Sequence, residues 1–233
     1  MLPPADLSTI TERARRILTE LPPGVGLVAA AKTRAPEDVL AAVAGGVQII
    51  GHNYVQEAAG MMAELEGRLP PGLRWHMIGH LQRNKAQSAA RCFDAIETVD
   101  SLALARRLDG TCAAIGKTMP ILLEVNSARE PNKAGVVPEA AEGLAREIAA
   151  LAHLRLVGLM TMGPLVGDPE ASRPYFRLTR RVFEGLAALR LDGVTMTVLS
   201  MGMSDSYRIA IEEGATLVRI GTALFGPRPA CRI

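Results

Sequence analysis

Short apolar segments alternate with amphipathic segments along most of the chain. Eight mostly apolar runs, bounded by glycine, proline or polar residues, are predicted strands: 26–32, 47–53, 74–80, 95–100, 120–126, 155–162, 197–203 and 217–226. Runs without strict alternation are typical of parallel strands buried on both faces. Between them, and in a first segment over 6–21, apolar residues recur at helical spacing. The pattern predicts an extra N-terminal helix followed by eight βα units, the last strand lacking a helix.

Eight such units in about 200 residues fit a (β/α)8 barrel of the TIM type. An open, doubly wound sheet normally uses fewer strands. The last predicted strand ends at residue 226 of 233. We therefore expect 1–233 to form a single barrel domain with no second domain.

Composition excludes several classes of protein. The net charge of +2 comes from 26 basic and 24 acidic residues without a basic cluster, so we expect no nucleic-acid partner. No apolar run approaches the roughly 18 residues of a membrane helix, and no signal peptide precedes the first helix. The three cysteines match no disulfide or zinc pattern, which favours reduced thiols and a cytoplasmic location. No heptad or edge-strand signal predicts an interface, so a monomer is favoured.

In barrels of this type the functional face lies at the carboxyl ends of the strands. The polar and small residues predicted there are Lys32, His52, Asn53, His80, Asn126, Met162, Gly163, Ser200, Gly202, Ser204, Arg219, Gly221 and Thr222. Lys32 ends the run GLVAAAK and is either a solvated strand tip or a functional amine.

The ends of the last two strands read SMGMS and RIGT. Glycine amides and Ser/Thr hydroxyls in these loops are suited to a phosphate, although each is equally compatible with a tight turn. Arg219 lies within the last apolar run, where its guanidinium needs an acceptor. That acceptor is either a carboxylate such as Glu124 or a ligand atom.

A lysine, a phosphate site and a buried arginine together indicate pyridoxal 5′-phosphate. The lysine amine condenses with the aldehyde of this cofactor, and the arginine faces the ring nitrogen. A permanently charged partner keeps that nitrogen unprotonated, which disfavours broad carbanion chemistry.

A metal-dependent hydrolase is a further alternative, because His52, His76 and His80 lie near two adjacent strand ends. Their spacing and the lack of a carboxylate completing the set argue against a metal, and none is predicted.

The motifs LVAAAKTR, GHNYVQE, WHMIGHLQRNK, EVNSAREPNKAG, VGLMTM, LSMGMSDSYRIAI and LVRIGTALFG resemble those of the pyridoxal phosphate homeostasis protein family, in register from about 26 to 226. The resemblance implies a barrel like the N-terminal domain of alanine racemase, with the cofactor held as an internal aldimine (Schiff base). The implied cofactor-binding residues are Lys32, Asn53, Ser200, Arg219, Gly221 and Thr222.

Four positions depart from the family's usual pattern. His52 stands where Glu is common, Ala31 and Ala128 replace serines, and Ser206 replaces a common Asp. None of them removes a cofactor anchor, but His52 could add a titrating group near the site.

The resemblance implies a non-enzymatic carrier or buffer of the cofactor in vitamin B6 homeostasis, with no catalytic residues and with apo forms of cofactor-dependent enzymes as candidate partners. The alternative is an amino-acid racemase of low activity. Racemisation needs an acid or base on both faces of the cofactor, and Tyr54, Tyr175 and Tyr207 are not predicted at a strand end. The carrier is therefore favoured.

Overall fold

A computed structural model of the protein describes residues 7–163 and 167–227. Eight parallel strands close into a barrel in chain order, with the last strand paired to the first. The strands are β1 (Gly26–Ala30), β2 (Ile49–His52), β3 (Arg74–Met77), β4 (Ala95–Val99), β5 (Met119–Glu124), β6 (Leu154–Met160), β7 (Val194–Ser200) and β8 (Leu217–Ile220). The predicted (β/α)8 barrel is confirmed.

Helices surround the barrel and follow the strands. They are α1 (Leu7–Glu20), α2 (Pro36–Ala44), α3 (Val55–Glu64), α4 (Ala86–Cys92), α5 (Leu102–Ala114), α6 (Ala141–Ala149), α7 (Arg173–Ala188), α8 (Tyr207–Glu212) and α9 (Thr222–Phe225). The predicted N-terminal helix is α1, which packs on α2 and α9. Its buried residues Ile10, Ala14 and Ile17 recur at the helical spacing seen in the sequence.

The apolar side chains form two layers. A large outer core fills the space between the strands and the helices, and it includes Ala29 and Ile50. A smaller cluster of Val28, Ile49, Ile78 and Leu217 fills the inside of the barrel. Because successive strand residues face opposite sides, the parity of a residue in its strand decides whether it points into the barrel or towards the helices.

The predicted strands extend beyond the observed ones at their carboxyl ends. The clearest error concerns the last predicted strand, 217–226, which ends at Ile220 and is followed by the short helix α9. Leu224 and Phe225 leave the ladder because their amides donate to the carbonyl of Gly221. These terminal residues form turns at the barrel mouth, where the candidate side chains lie.

One glycine permits the closure of the barrel between β6 and β7. A Cβ atom on Gly158 would lie 1.7 Å from the carbonyl oxygen of Val198. No side chain fits in that space, so the two strands can approach only with glycine at this position.

No helix in the described part of the chain is long and apolar enough to cross a membrane. Cys92 and Cys112 are free thiols, and Cys231 lies outside the described residues.

Candidate functional site

Lys32 lies at the barrel mouth, two residues beyond β1. The preceding Ala31 packs in the outer core, and the alternation of side chains therefore places half-buried Lys32 on the inward side. Its Nζ atom lies over the ring of Tyr54, 4.9 Å from the ring centroid. Lys32 is thus held against an aromatic ring instead of extending freely into solvent.

The turn after Lys32 has an unusual backbone conformation. Thr33 has a φ of +62°, in the left-handed region that residues other than glycine rarely adopt. Its amide donates to the Glu57 carboxylate and its hydroxyl donates to the Lys32 carbonyl at 2.7 Å. Such conformations persist where surrounding contacts hold them and are common at functional sites. Here the contacts fix the direction in which Lys32 leaves β1.

Arg219 lies in the middle of β8 and is 3% exposed. It donates from Nη1 to Ser200 Oγ at 2.6 Å and from Nη2 to the Thr161 carbonyl at 2.8 Å. The alternative of an ion pair with Glu124 is wrong, since Arg219 forms none with any carboxylate in the described residues. Burial lowers the pKa of Arg219, although the charges of Glu97 and Glu124 oppose this.

A buried chain of hydrogen bonds continues from Arg219 across the barrel. Ser200 Oγ donates to Glu97 Oε2 at 2.6 Å, and Glu97 Oε1 is 2.7 Å from His76 Nδ1. Burial disfavours the charged form of Glu97, but His76 and Arg219 outweigh it and hold the pKa of Glu97 below its ordinary value. A carboxylate therefore balances the guanidinium inside the barrel.

Sequence reasoning missed Glu97 and its pairing with His76, which we consider from the sequence only as a possible metal ligand. The available signal was the segment AIETVD, in which Glu97 interrupts an apolar strand. A fully buried carboxylate requires a partner, so a glutamate at that position indicates a cation or a hydrogen-bond donor facing it.

The turns after β7 and β8 meet through Ser204. Its Oγ accepts hydrogen bonds from the amides of Gly221 at 3.3 Å and Ala223 at 3.1 Å. Gly202, whose carbonyl accepts from the Arg219 amide, has a φ of +90° that favours glycine. Thr222 is exposed at the start of α9. The two small-residue turns thus form one surface of amides and hydroxyls.

Ser200 does not lie in this surface. It is the last residue of β7, fully buried, and its hydroxyl both donates to Glu97 and accepts from Arg219. The structure places Ser204, four residues further on, beside Gly221 instead.

Asn53 follows β2 directly and is half-buried. With Tyr54, His80 and Lys85 it lines a cavity of about 330 Å³ at the barrel mouth. Gly79 approaches the Asn53 backbone so closely that a Cβ atom would lie 2.4 Å from the Asn53 carbonyl oxygen. The position of Asn53 is therefore fixed by the neighbouring loop.

Tyr54 also corrects an expectation, because no tyrosine was predicted at a strand end. It lies two residues beyond β2, against Lys32. Tyr207, by contrast, donates its hydroxyl to Glu20 at 3.1 Å.

His52 is not part of the site. It faces the outer core, where its ring stacks on Trp75 with centroids 5.7 Å apart. Burial lowers the pKa of His52, so the neutral ring is favoured.

His76 is paired with Glu97, and His80 Nδ1 lies 3.5 Å from Asp100 Oδ2. No three potential ligands in the described residues are placed to hold a metal, so the metal alternative lacks a ligand set.

Glu124, the last residue of β5, is a further charged residue that faces the inside of the barrel, besides Arg219 and Glu97. Burial, together with the charge of Asp100, raises the pKa of Glu124 to about 7. Its Oε2 atom is buried and has no hydrogen-bond partner within residues 7–163 and 167–227. Glu124 lines a cavity of about 280 Å³ between the loops after β5 and β6.

These features define a barrel of the alanine racemase N-terminal class, with a lysine at the mouth and an arginine inside. Residues 5–229 match the family described as alanine racemase, N-terminal domain. An alanine racemase from Clostridium difficile shares the fold, with a TM-score of 0.76 at 16% identity. The chain covers 58% of that enzyme.

More similar relatives identify the family within this class. The pyridoxal phosphate homeostasis protein of Pseudomonas aeruginosa is 40% identical over 95% of this chain and 97% of its own length. The solved structure of PipY from Synechococcus elongatus with pyridoxal phosphate bound has a TM-score of 0.85 at 36% identity, covering 93% of this chain and all of that one. The chain belongs to the pyridoxal phosphate homeostasis protein family.

Proposed function

We propose that this protein binds pyridoxal 5′-phosphate covalently through Lys32 and serves as a carrier or buffer of that cofactor. The observation that carries the proposal is the arrangement of Lys32 at the mouth, buried Arg219 and the joined Ser204–Gly221 turns. It occurs in a chain whose family includes PipY, which was solved with pyridoxal phosphate bound.

The residues at the barrel mouth fit this cofactor. Val28 of β1 is paired with Arg219 of β8, so the two side chains face the same way. Lys32 has the same parity as Val28 along the chain, so Lys32 and the buried guanidinium both face the inside of the barrel. When bound, pyridoxal phosphate supplies an aldehyde that condenses with a neutral lysine amine. Lys32 is the residue we assign to that bond. Asn53 lies on the adjacent strand end, where it can contact the ring.

Arg219 is assigned to the ring nitrogen. Its guanidinium keeps its protons at any physiological pH, so it donates a hydrogen bond and transfers no proton. The Thr161 carbonyl and Ser200, itself bonded to Glu97, hold the guanidinium in one orientation. Ser200 thereby becomes a positioning residue instead of the phosphate ligand predicted from sequence.

The phosphate is assigned to the turns after β7 and β8. Ser204, Gly221 and Thr222 provide hydroxyls and amides at the mouth, and these loops are the usual phosphate site of this barrel class.

Cofactor transfer tests the carrier role. The protein loaded with pyridoxal phosphate and freed of excess cofactor is mixed with an apo cofactor-dependent enzyme, and the recovered activity is followed over time. We expect the loaded protein to restore activity, and Lys32→Ala treated identically to restore almost none. Lys85→Arg, which removes another amine at the mouth but keeps its charge, should behave like the unchanged protein. Equal recovery with Lys32→Ala would reject the assignment.

The racemase is kept as a second candidate because Tyr54 lies beside Lys32. An acid and a base on opposite faces of one carbon, each at about 3–3.5 Å, would lie about 6–7 Å apart. Tyr54 instead packs its ring face against the lysine ammonium, 4.9 Å from the centroid. This packing supports holding the lysine in place more than it supports proton transfer across a substrate.

A further inference from the structure

Glu124 has a carboxylate whose hydrogen-bonding capacity is not used. The residue is 8% exposed, and its buried Oε2 atom has no partner among the described residues. An unpaired buried carboxylate is costly, so such a group is expected to meet a ligand or to bind a proton. Glu124 lines the cavity of about 280 Å³ described above, which we call the β5–β6 cavity.

The other polar groups around the β5–β6 cavity are largely satisfied as donors. Thr161 Oγ1 donates to the Val125 carbonyl at 2.9 Å, so Ser127 Oγ, 3.0 Å away, donates to Thr161. Asn126 Nδ2 donates to the carbonyls of Glu130 and Lys133. The acceptors with free capacity are Glu124 Oε2 and the second lone pairs of the Ser127 and Asn126 oxygens.

The cation at the edge of this cavity is already paired. Lys133 Nζ donates to Glu130 Oε1 at 2.7 Å and to the Gly163 carbonyl at 3.3 Å. The remaining wall is apolar, formed by Val125, Met162 and Met203. The cavity thus presents a free acidic acceptor, occupied side-chain donors and an apolar wall.

We propose that the β5–β6 cavity binds a primary ammonium group with a short aliphatic chain, and that Glu124 Oε2 accepts its hydrogen bond. An ammonium ion supplies donors only, which complements this set of free acceptors. The volume exceeds what a single water needs by far, so a small organic molecule fits. A carboxylate ligand is disfavoured, because its charge would face Glu124 without an unpaired cation.

The charges that face Glu124 are consistent with this ligand. Asp100 after β4 and Glu130 in the β5 loop are negative, while Arg219 on β8 and Lys133 are positive. Because Glu97 balances Arg219 and Glu130 pairs with Lys133, Glu124 has no cation of its own within the ranges that the structure describes, and a monovalent cation supplies one. Without that cation, burial and Asp100 favour the protonated, neutral form of Glu124, with a pKa of about 7.

The β5–β6 cavity adjoins the proposed cofactor site but does not depend on it. Thr161 and Met162 line the cavity, and the Thr161 carbonyl and the Met162 sulfur both accept from Arg219. An amine bound there would lie beside the guanidinium assigned to the cofactor ring. That the bound amine lies beside the cofactor rests on the proposed function, whereas the binding of the amine to the β5–β6 cavity does not.

The test is a titration of cofactor-free protein with n-propylammonium, followed by saturation-transfer NMR in a buffer free of primary amines. Hydroxylamine treatment and dialysis remove any bound carbonyl compound beforehand. At the highest ligand efficiency, about −1.5 kcal/mol per heavy atom, a probe of about four heavy atoms has a dissociation constant of about 40 μM, which is the upper bound on its affinity. We expect n-propylammonium to bind, and neutral 1-propanol and anionic propionate to bind at least about tenfold more weakly.

Two variants locate the site. Glu124→Gln keeps the shape and removes the charge, and it should weaken n-propylammonium at least about tenfold, as expected for loss of a charge-assisted hydrogen bond. Glu139→Gln removes a carboxylate that is paired with Arg129 and does not line the cavity, and it should change the affinity less than about threefold. Equal effects of the two variants would overturn the proposal.

The pH dependence is a second readout that needs no variant. Binding requires ionised Glu124, so affinity should rise about tenfold from pH 6 to pH 8 as the fraction ionised increases around a pKa of about 7. A flat profile, or binding of propionate as strong as that of n-propylammonium, would overturn the proposal. Because the titration uses cofactor-free protein, its result is separate from whether Lys32 holds pyridoxal phosphate.

Discussion

At the residue scale, the hydrogen-bond chain from Arg219 to His76 sets the charge inside the barrel. Glu97 lies at its centre and is fully buried, so replacing it removes both the carboxylate paired with His76 and the negative charge linked to Arg219 through Ser200. We predict that Glu97→Gln lowers the free energy of unfolding by about 3 kcal/mol, the scale measured when one partner of a buried pair is removed. Urea unfolding at pH 7 measures this change.

An exposed ion-paired carboxylate provides the matched control for Glu97. Glu139 pairs with Arg129, and its side chain is 63% exposed. Glu139→Gln should change the free energy of unfolding by less than about 1 kcal/mol. A similar loss in both variants would mean that the buried chain contributes no specific stabilisation.

Glu124 predicts a pH dependence of stability with the opposite sign to that of a paired carboxylate. Its pKa is about 7 in the folded protein, against an ordinary value of 4.5. Between these values the folded state binds a proton that the unfolded state has lost, so stability falls as pH rises. The difference of about 2.5 pKa units corresponds to about 3 kcal/mol.

The measurement compares urea unfolding of the unchanged protein and Glu124→Gln from pH 4 to pH 8 in amine-free buffer. The variant should gain stability relative to the unchanged protein as pH rises from about 4.5 to 7, with no further change above that. A constant difference over the whole range would contradict the assigned pKa.

Residue types at the site could be predicted from sequence, but the pairs they form could not. Lys32, Asn53, Arg219, Gly221 and Thr222 all lie at or just inside the barrel mouth. Ser200 was predicted in the turn at the mouth, but Ser204 occupies that position in the structure. The strand predicted over 197–203 ends at Ser200, and the position of each hydroxyl depends on where the strand ends. Glu97 and Ser200 lie 103 residues apart, and only barrel closure brings them into contact.

At the element scale, apolar content predicts where the strands are, whereas strand parity and the close approach of neighbouring strands decide which way their side chains face and how the barrel closes. The existence and order of all eight strands followed from the apolar runs, since burial on both faces needs no particular register. Their ends did not, because glycine, serine and threonine occur both in strands and in the turns at the mouth. The short helix α9 was missed for this reason, as TALF is apolar in either conformation.

Gly158 gives an element-scale prediction about barrel closure. Gly158→Ala would place a Cβ atom 1.7 Å from the Val198 carbonyl oxygen, so β6 and β7 would have to separate. We expect a loss of more than about 3 kcal/mol in the free energy of unfolding, or failure to fold, as for severe overpacking. Thermal unfolding followed by circular dichroism measures the effect.

A second glycine provides the control for barrel closure. Gly143 lies within α6, where a Cβ atom would meet nothing within 4 Å. Gly143→Ala should stabilise the protein by about 0.5–1 kcal/mol, because alanine favours a helix interior. If Gly158→Ala were also stabilising, the close approach of β6 and β7 would be refuted.

At the scale of the whole molecule, the arrangement of the mouth favours holding a cofactor over turning over a substrate. In the proposed site Arg219 would donate to the ring nitrogen without protonating it, and Tyr54 packs on Lys32. We predict that the loaded protein exchanges the α-proton of L-alanine in deuterated water no faster than free pyridoxal phosphate does. Exchange at an enzyme-like rate that Tyr54→Phe abolishes would instead establish the racemase alternative.

The most direct test of the whole account is to identify the residue that carries the cofactor. The protein loaded with pyridoxal phosphate is reduced with borohydride, digested, and its peptides are weighed by mass spectrometry. We predict a yellow protein whose reduced cofactor mass is on the peptide containing Lys32, and no such label in Lys32→Ala. A label on another lysine, or a protein that stays colourless after cofactor is added, would contradict the account.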